Sequence, residues 1–165
     1  MAKTPIVITG FMATGKSTVA PIVARKLGWS HFETDDEIER RLNLTIPEIF
    51  AQHGEETFRY YEQRISTEVT LMQHVVVSTG GGLLIDDFSR ALLLQKAYVV
   101  CLDAPETVIA DRLADTTGRP VASEWRKRYH ERLPIYRSIP HQVDTTDKTP
   151  DAIAQEIITL WNASP

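Results

Sequence analysis

The segment Gly10-Phe11-Met12-Ala13-Thr14-Gly15-Lys16-Ser17 constrains this chain more than any other, because it follows the spacing G-x-x-x-x-G-K-[ST]. Before it, Pro5-Ile6-Val7-Ile8-Thr9 has the pattern of a buried strand; after it, Thr18 to Leu27 has that of a helix. Strand, loop and helix in this order make a cradle for a polyphosphate. The glycines let the backbone turn tightly and aim N–H groups at one point. The helix adds unpaired N–H groups and its positive dipole end. In such a loop Lys16 sits between the β- and γ-phosphates of a nucleoside triphosphate. The Ser17 hydroxyl ligates Mg²⁺, a hard cation that favours oxygen. An ordinary glycine turn between strand and helix needs none of this register. The loop specifies the donor alone; kinases, switches and motors all use it.

Strand-like and helix-like segments alternate downstream. His31 to Thr34 is a short strand, Asp35 to Leu42 a helix, and Thr45-Ile46-Pro47-Glu48 the capped start of another helix. Glu55 to Met72 is expected as a long helix with Phe58, Ile65, Val69 and Met72 near one stripe. His74 to Ser78 is a strand, Asp86 to Leu94 a helix, Tyr98 to Leu102 a strand, and Pro105 begins a helix ending near Leu113. After the polar stretch Ala114 to Ser123, Trp125 to Leu133 is helical, with Pro134 near its end. His141 to Asp144 is a last strand, and Pro150 opens a last helix. The alternation predicts one α/β domain over residues 1–165, a parallel sheet with helices on both faces and the ligand at the strands' carboxyl ends. Gly54 and the segment 114–123 are the points expected to move.

A chain of 165 residues can bury a real core, and its net charge of −4 supplies no basic field for nucleic acid. No apolar run reaches membrane-spanning length. Met1 to Pro5 leads into the first strand without a signal-peptide pattern. The lone cysteine, Cys101, falls in a strand and is expected to pack rather than react; with no internal disulfide, a reducing cytoplasm fits. The five histidines show no metal-ligand spacing.

Other features gather around the predicted strand ends. Glu33-Thr34-Asp35-Asp36 closes the second strand, where carboxylates can face a nucleotide and its metal, or simply cap a helix. Arg59 and Glu62 are spaced i,i+3 and share a helix face, as a surface pair worth ~0.5 kcal/mol also would. Ser78-Thr79-Gly80-Gly81-Gly82 follows a strand and exposes backbone N–H groups, or is a plain turn. Arg119-Pro120 lies in the polar stretch, and Arg132-Leu133-Pro134-Ile135-Tyr136 follows; either arginine read alone is a solvated charge. Their weight lies in their placement, each at the carboxyl end of a strand or in the cover above it.

With these residues in view, nearly the whole chain resembles the shikimate kinases. The family's loop, G-x-x-G-x-G-K-S-T, appears with Ala13 in place of a glycine, and its D-T-D as Glu33-Thr34-Asp35. Its S-I-x-E-I-F appears as Thr45-Ile46-Pro47-Glu48-Ile49-Phe50. G-E-x-x-F-R-x-x-E is intact from Gly54 to Glu62, and T-G-G-G from Thr79 to Gly82. The lid motif R-P-L is Arg119-Pro120-Val121, and R-x-P-L-Y is Arg132 to Tyr136.

The resemblance implies a three-layer phosphate-loop kinase fold whose central parallel sheet has five strands in the order 2-3-1-4-5. It implies a cytoplasmic monomer with a substrate-binding region over about residues 33–62 and a lid over about 113–125. The implied reaction carries the γ-phosphoryl group of ATP to the 3-hydroxyl of shikimate, yielding shikimate 3-phosphate and ADP on the route to aromatic amino acids. Its partners are ATP, ADP and shikimate, and its cofactor is Mg²⁺. By the same resemblance Lys16, Asp35 and Arg119 are catalytic. Gly10, Ala13, Thr14, Gly15, Lys16, Ser17, Thr18, Arg112 and Arg119 bind ATP, with Arg112 stacking on adenine, though read alone it is equally a surface charge. Asp35, Phe50, Phe58, Arg59, Glu62, Gly81, Gly82 and Arg132 bind shikimate. Ser17 and, through water, Glu33 hold the metal.

The residue types suit that work. Planar guanidinium forks at Arg59 and Arg132 can grip a carboxylate, Glu62 can orient Arg59, and Phe50 and Phe58 can wall the ring. Asp35 should matter more as an aligner than as a base, since a carboxylate of reference pKa near ~4 is a poor base for an alcohol. Arg119 on a closing lid would neutralise charge and exclude water.

Two departures stand out. Glu33 replaces an aspartate, and the stretch from Arg119 to Arg132 is short for the family, which trims the lid. They leave room for a kinase of another small hydroxy acid such as gluconate, or for a non-catalytic nucleotide-binding relative. A gluconate-type kinase would share the loop but not Gly54 to Glu62 together with Gly80 to Gly82. A nucleoside monophosphate kinase fits the arginine placement less well. A guanine switch needs N/T-K-x-D, which Thr146-Asp147-Lys148-Thr149 does not supply. Retention of Lys16, Ser17, Asp35 and Arg119 speaks against a binding-only protein.

Overall fold

The strand before the phosphate loop, β1 (Ile6–Gly10), is buried at all five positions, and the sheet assembles around it. In the computed structural model, which describes residues 4–115 and 124–165, β1 pairs in parallel with β3 (Val75–Ser78) and β4 (Tyr98–Asp103). Outside these lie β2 (Ser30–Glu33) and β5 (His141–Asp144), giving the order β2-β3-β1-β4-β5 with every pair parallel. This is the order expected. Register aligns the strand ends: Glu33 pairs with Ser78, and Ser78 with Ile8. The segments leaving β1, β2 and β3 therefore emerge side by side, where a ligand of an open α/β sheet binds.

Period-2 alternation divides the core into two layers. Ile6, Ile8, Val76 and Val100 point to one face, with α1 (Lys16–Leu27) and α7 (Pro150–Asn162) upon them through Val19, Val23, Ile153 and Ile157. Val7, Val77, Val99 and Cys101 point to the other. That face is covered by Ile38 of α2 (Thr34–Leu42), Ile65 of α3 (Ile46–Val69), Leu93 of α4 (Asp87–Lys96), Ile109 of α5 (Glu106–Ala114) and Tyr129 of α6 (Glu124–Arg137). Cys101 is 1% exposed and packs as expected; burial pushes its thiol up to about 12.

Three details depart from the sequence expectation. The helices expected from Thr45 and from Glu55 join as α3, which starts with a capping box between Thr45 and Glu48 and breaks at Gly54, with φ 81° and ψ 169°. That backbone conformation is open to glycine and strained for other residues. Helix α6 runs on through Pro134 to Arg137, and Ser138 N–H then bonds the carbonyl of Pro134 at 3.2 Å. A 3₁₀ turn, Leu83–Ile85, follows the glycine run and buries Leu83 and Leu84. No helix among the described residues is long and apolar enough to cross a membrane. Arg119 and most of the expected lid lie outside the described residues.

Candidate active site

On the donor side, Gly15 caps α1 without any side-chain hydrogen bond, leaving that helix end to a ligand. Ala13 holds φ 61°, a left-handed conformation costing an L-residue on the order of 1 kcal/mol. Arg112 Nη1 fixes it by donating to the Ala13 carbonyl at 2.9 Å. The same guanidinium donates to Thr145 Oγ1 and to the Thr145 carbonyl, both at 3.1 Å, tying the loop to the turn after β5. Arg112 is thus a strut within the cleft wall rather than a solvated charge, with its N–H edges engaged by protein. Thr14 Oγ1 donates to the Phe11 carbonyl at 2.7 Å and is buried; Gly10 and Thr14 form the loop's base, while Ala13, Gly15, Lys16, Ser17 and Thr18 line the cleft.

Lys16 Nζ is folded onto the loop, donating to the carbonyls of Gly10 at 2.7 Å and Phe11 at 2.9 Å. Burial pulls its ammonium down to about 8. Ser17 Oγ donates to Glu33 Oε1 at 2.7 Å, so the longer glutamate reaches the hydroxyl directly. His31 Nε2 lies 2.9 Å from Ser78 Oγ and 3.9 Å from Glu33 Oε2. A hydroxyl and a carboxylate at this spacing are hard oxygen donors of the kind Mg²⁺ takes beside phosphate oxygens and water.

Opposite lies a second set of groups around the glycine turn. Gly80 N–H donates to Thr34 Oγ1 at 2.9 Å, docking the turn on the start of α2. A Cβ at Gly80 would overlap the Asp35 carboxylate, and one at Gly82 would lie 2.6 Å from Arg59 Nη1, so no larger residue fits either position without displacement. A Cβ at Gly81 would stand 3.4 Å from Arg132 Nη1. The two guanidiniums therefore flank one turn. Tyr136 Oη donates to the Gly81 carbonyl and fastens the turn to α6.

Arg59 is aimed by carboxylates on its own helix: Nη1 bonds Glu62 Oε1, and Nη2 bonds Glu55 Oε1 at 3.2 Å. Glu62 is 1% exposed, and burial lifts its carboxyl to about 7 against the pull of Arg59. Asp35 is lifted to about 6, first by burial and then by Glu33. Its Oδ1 is buried without a hydrogen-bond partner. Phe50 and Phe58 stand across the Gly54 break with ring centroids 5.0 Å apart.

The phosphate-loop groups and the glycine-turn groups border one cleft of about 920 Å³. Every expected site residue among those described lies in its wall or in the loop base, and Arg119 falls outside the described residues. The sequence assigned no role to Glu55 or Thr34, though both lie inside the matched motifs, and did not single out Arg128. Glu55 stands four residues before Arg59, an i,i+4 signal that could have found it. The contact of Thr34 with Gly80, and the place of Arg128 in the cleft wall, come from tertiary packing.

A family model described as Shikimate kinase matches residues 12–161. A shikimate kinase of Thermodesulfovibrio yellowstonii is 35% identical over 159 residues, covering 93% of this chain and 92% of its own. One of Moorella thermoacetica is 37% identical over 158 residues, covering 92% and 91%. Among solved structures, shikimate kinase from Acinetobacter baumannii in complex with shikimate superposes with a TM-score of 0.87 at 31% identity, covering 97% of this chain and 93% of that one.

Proposed function

The chain belongs to the shikimate kinase family, and on that premise we propose that it transfers the γ-phosphoryl group of ATP to the 3-hydroxyl of shikimate. The observation that carries this reading is the pair of guanidiniums, Arg59 and Arg132, on either side of the Gly80 to Gly82 turn and across one cleft from Lys16. Two planar forks flanking one turn suit a carboxylate. N–H groups of the turn fix the ring, and Phe50 and Phe58 give it an apolar wall. Asp35, in the cleft wall, accepts a hydrogen bond from a ring hydroxyl through its cleft-facing carboxylate edge and aligns it for attack.

Phosphoryl transfer passes through a loose transition state, so positioning and charge dominate. Lys16 leaves the carbonyls of Gly10 and Phe11 for the phosphate oxygens, which meet a charge already desolvated. Arg112 keeps Ala13 and the loop in shape as this happens, and its flat cation borders the base. Arg119 is assigned to the transferring group by its motif. Ser17, with Glu33 through water, would hold Mg²⁺, which when bound would supply further charge at the phosphates.

At saturating MgATP, release of ADP should depend on shikimate and not on gluconate. Equal or greater turnover with gluconate would replace this acceptor assignment, and no turnover with either would favour a binding protein. Glu33→Asp shortens the reach to Ser17, so the Mg²⁺ concentration giving half-maximal rate should rise about tenfold, with the same shift in Mg²⁺-dependent ADP binding. An unchanged titration by both readouts places Glu33 away from the metal.

A further inference from the structure

We propose that Arg128 is a phosphate-contacting residue of this cleft, directed at the γ-phosphoryl group of the bound nucleotide. Arg128 lines the cleft from α6, one i,i+4 step before Arg132 and so on the same helical face. The other cations of the cleft among the described residues are engaged. Lys16 donates to loop carbonyls, Arg59 to Glu62 and Glu55, and Arg112 to Ala13 and Thr145, while Arg132 shares a hydrogen bond with Tyr136. Its neighbours on α6 are engaged too, Arg126 with Glu106 at 3.3 Å and Lys127 with Glu131 at 3.9 Å. Among the described residues Arg128 is the cleft cation with no hydrogen bond or ion pair.

The packing of α6 sets what that cation faces. Its C-terminal half sits at the glycine turn, through Tyr136 on the Gly81 carbonyl and Arg132 beside Gly81. Its N-terminal half is fastened to the donor side. Tyr129 stacks edge-on against Phe11 of the phosphate loop at 5.4 Å and donates to the Ala104 carbonyl at 3.3 Å. Trp125 lies 6.5 Å from the same Phe11 ring. Arg126 and His130 both hold Glu106 of α5, the helix that carries Arg112. One helical step of four residues advances ~6 Å from Arg132 toward that side. A carboxylate held by Arg59 and Arg132 thus leaves Arg128 over the gap between acceptor and loop, where the transferred group lies. A guanidinium fork matches phosphoryl oxygens, and an exposed one with no partner among the described residues is available without breaking another contact there.

This assignment rests on the ATP-dependent kinase reading and adds a residue to it. The test is nucleotide binding without acceptor, comparing ATP (or its β,γ-imido analogue) with ADP on wild type, Arg128→Gln and Arg128→Lys. Arg128→Gln should weaken ATP about tenfold and ADP less than about twofold, with an unchanged melting temperature, and Arg128→Lys should recover part of the loss. Equal affinities in wild type and Arg128→Gln, or equal losses for ATP and ADP, overturn the assignment. So does a raised KM for shikimate with ATP affinity intact, which moves Arg128 to the acceptor. Because no acceptor is present, failure of wild type to phosphorylate shikimate would overturn the substrate reading and leave this comparison standing.

Discussion

Lys16→Ala should reduce turnover at least about a thousandfold while the protein stays folded. The side chain contributes to no core layer; what it holds is a charge beside two carbonyls at the floor of the cleft. Without it the carbonyls of Gly10 and Phe11 face the phosphates unscreened, so the variant loses an attraction and keeps a repulsion. ATP affinity should fall with the rate, and thermal unfolding should move little. Substantial residual activity would remove Lys16 from the phosphate site. A pH consequence comes with it: an ammonium pulled down to about 8 by burial loses its proton as pH rises through that value. In wild type, kcat/KM for ATP, which reports the free enzyme, should decline above about pH 8.

Asp35→Asn is the second large effect. The amide keeps size and removes charge, so the 3-hydroxyl loses its aligned acceptor, and kcat should fall about a hundredfold or more. For wild type the shikimate-dependent kcat/KM should also fall as pH drops below about 6, where the raised carboxyl of Asp35 takes up a proton. The asparagine variant should lose that acid limb, and retention of it with full activity would assign the limb and the alignment to another group. Stability should move the opposite way. A folded-state value above the ordinary 3.8 means that the fold binds the proton more tightly than the open chain does. Ionisation therefore weakens the fold as pH rises from about 4 to about 6 and leaves it weaker above. An amide at this position carries no such cost, so the variant should gain on the order of 1–2 kcal/mol near neutral pH and nothing near pH 4. A variant both slower and more stable is the signature of a carboxylate kept for its chemistry.

What the sequence made legible was local. Lys16 and Ser17 are fixed by a loop whose spacing has one backbone solution, and the alternation of β-branched runs with amphipathic ones sets the sheet. Asp35, Arg59 and the glycines from 80 to 82 fall at strand ends or on a helix nearby, so their convergence follows once strand order is known. What escaped depends on how elements dock. No local pattern says that Lys16 folds back on its own loop, or that Thr34 catches Gly80 across 46 residues. Arg128 looks like any helical surface charge until Tyr129 and Trp125 seat α6 against Phe11. The run of α6 through Pro134 escaped because tertiary contacts on both sides of the proline, at Tyr129 and Tyr136, outweigh one missing backbone bond.

The break at Gly54 carries a consequence for how such a cleft diversifies. Phe50 stands before it and Phe58, Arg59 and Glu62 after it, so the two rings of the aromatic pair are hung on opposite sides of one glycine break, with the Arg59–Glu62 pair on the far side. The stretch before the break is anchored separately, by the Thr45–Glu48 box and by Glu39 accepting from the Ile46 N–H at 2.9 Å. Substitutions there can reshape the compartment for a bulkier or slimmer acid while the arginine keeps its aim. One half of the aromatic pair, Phe50, can in this way vary apart from Arg59, while Phe58, whose ring lies under that guanidinium at 5.6 Å, cannot.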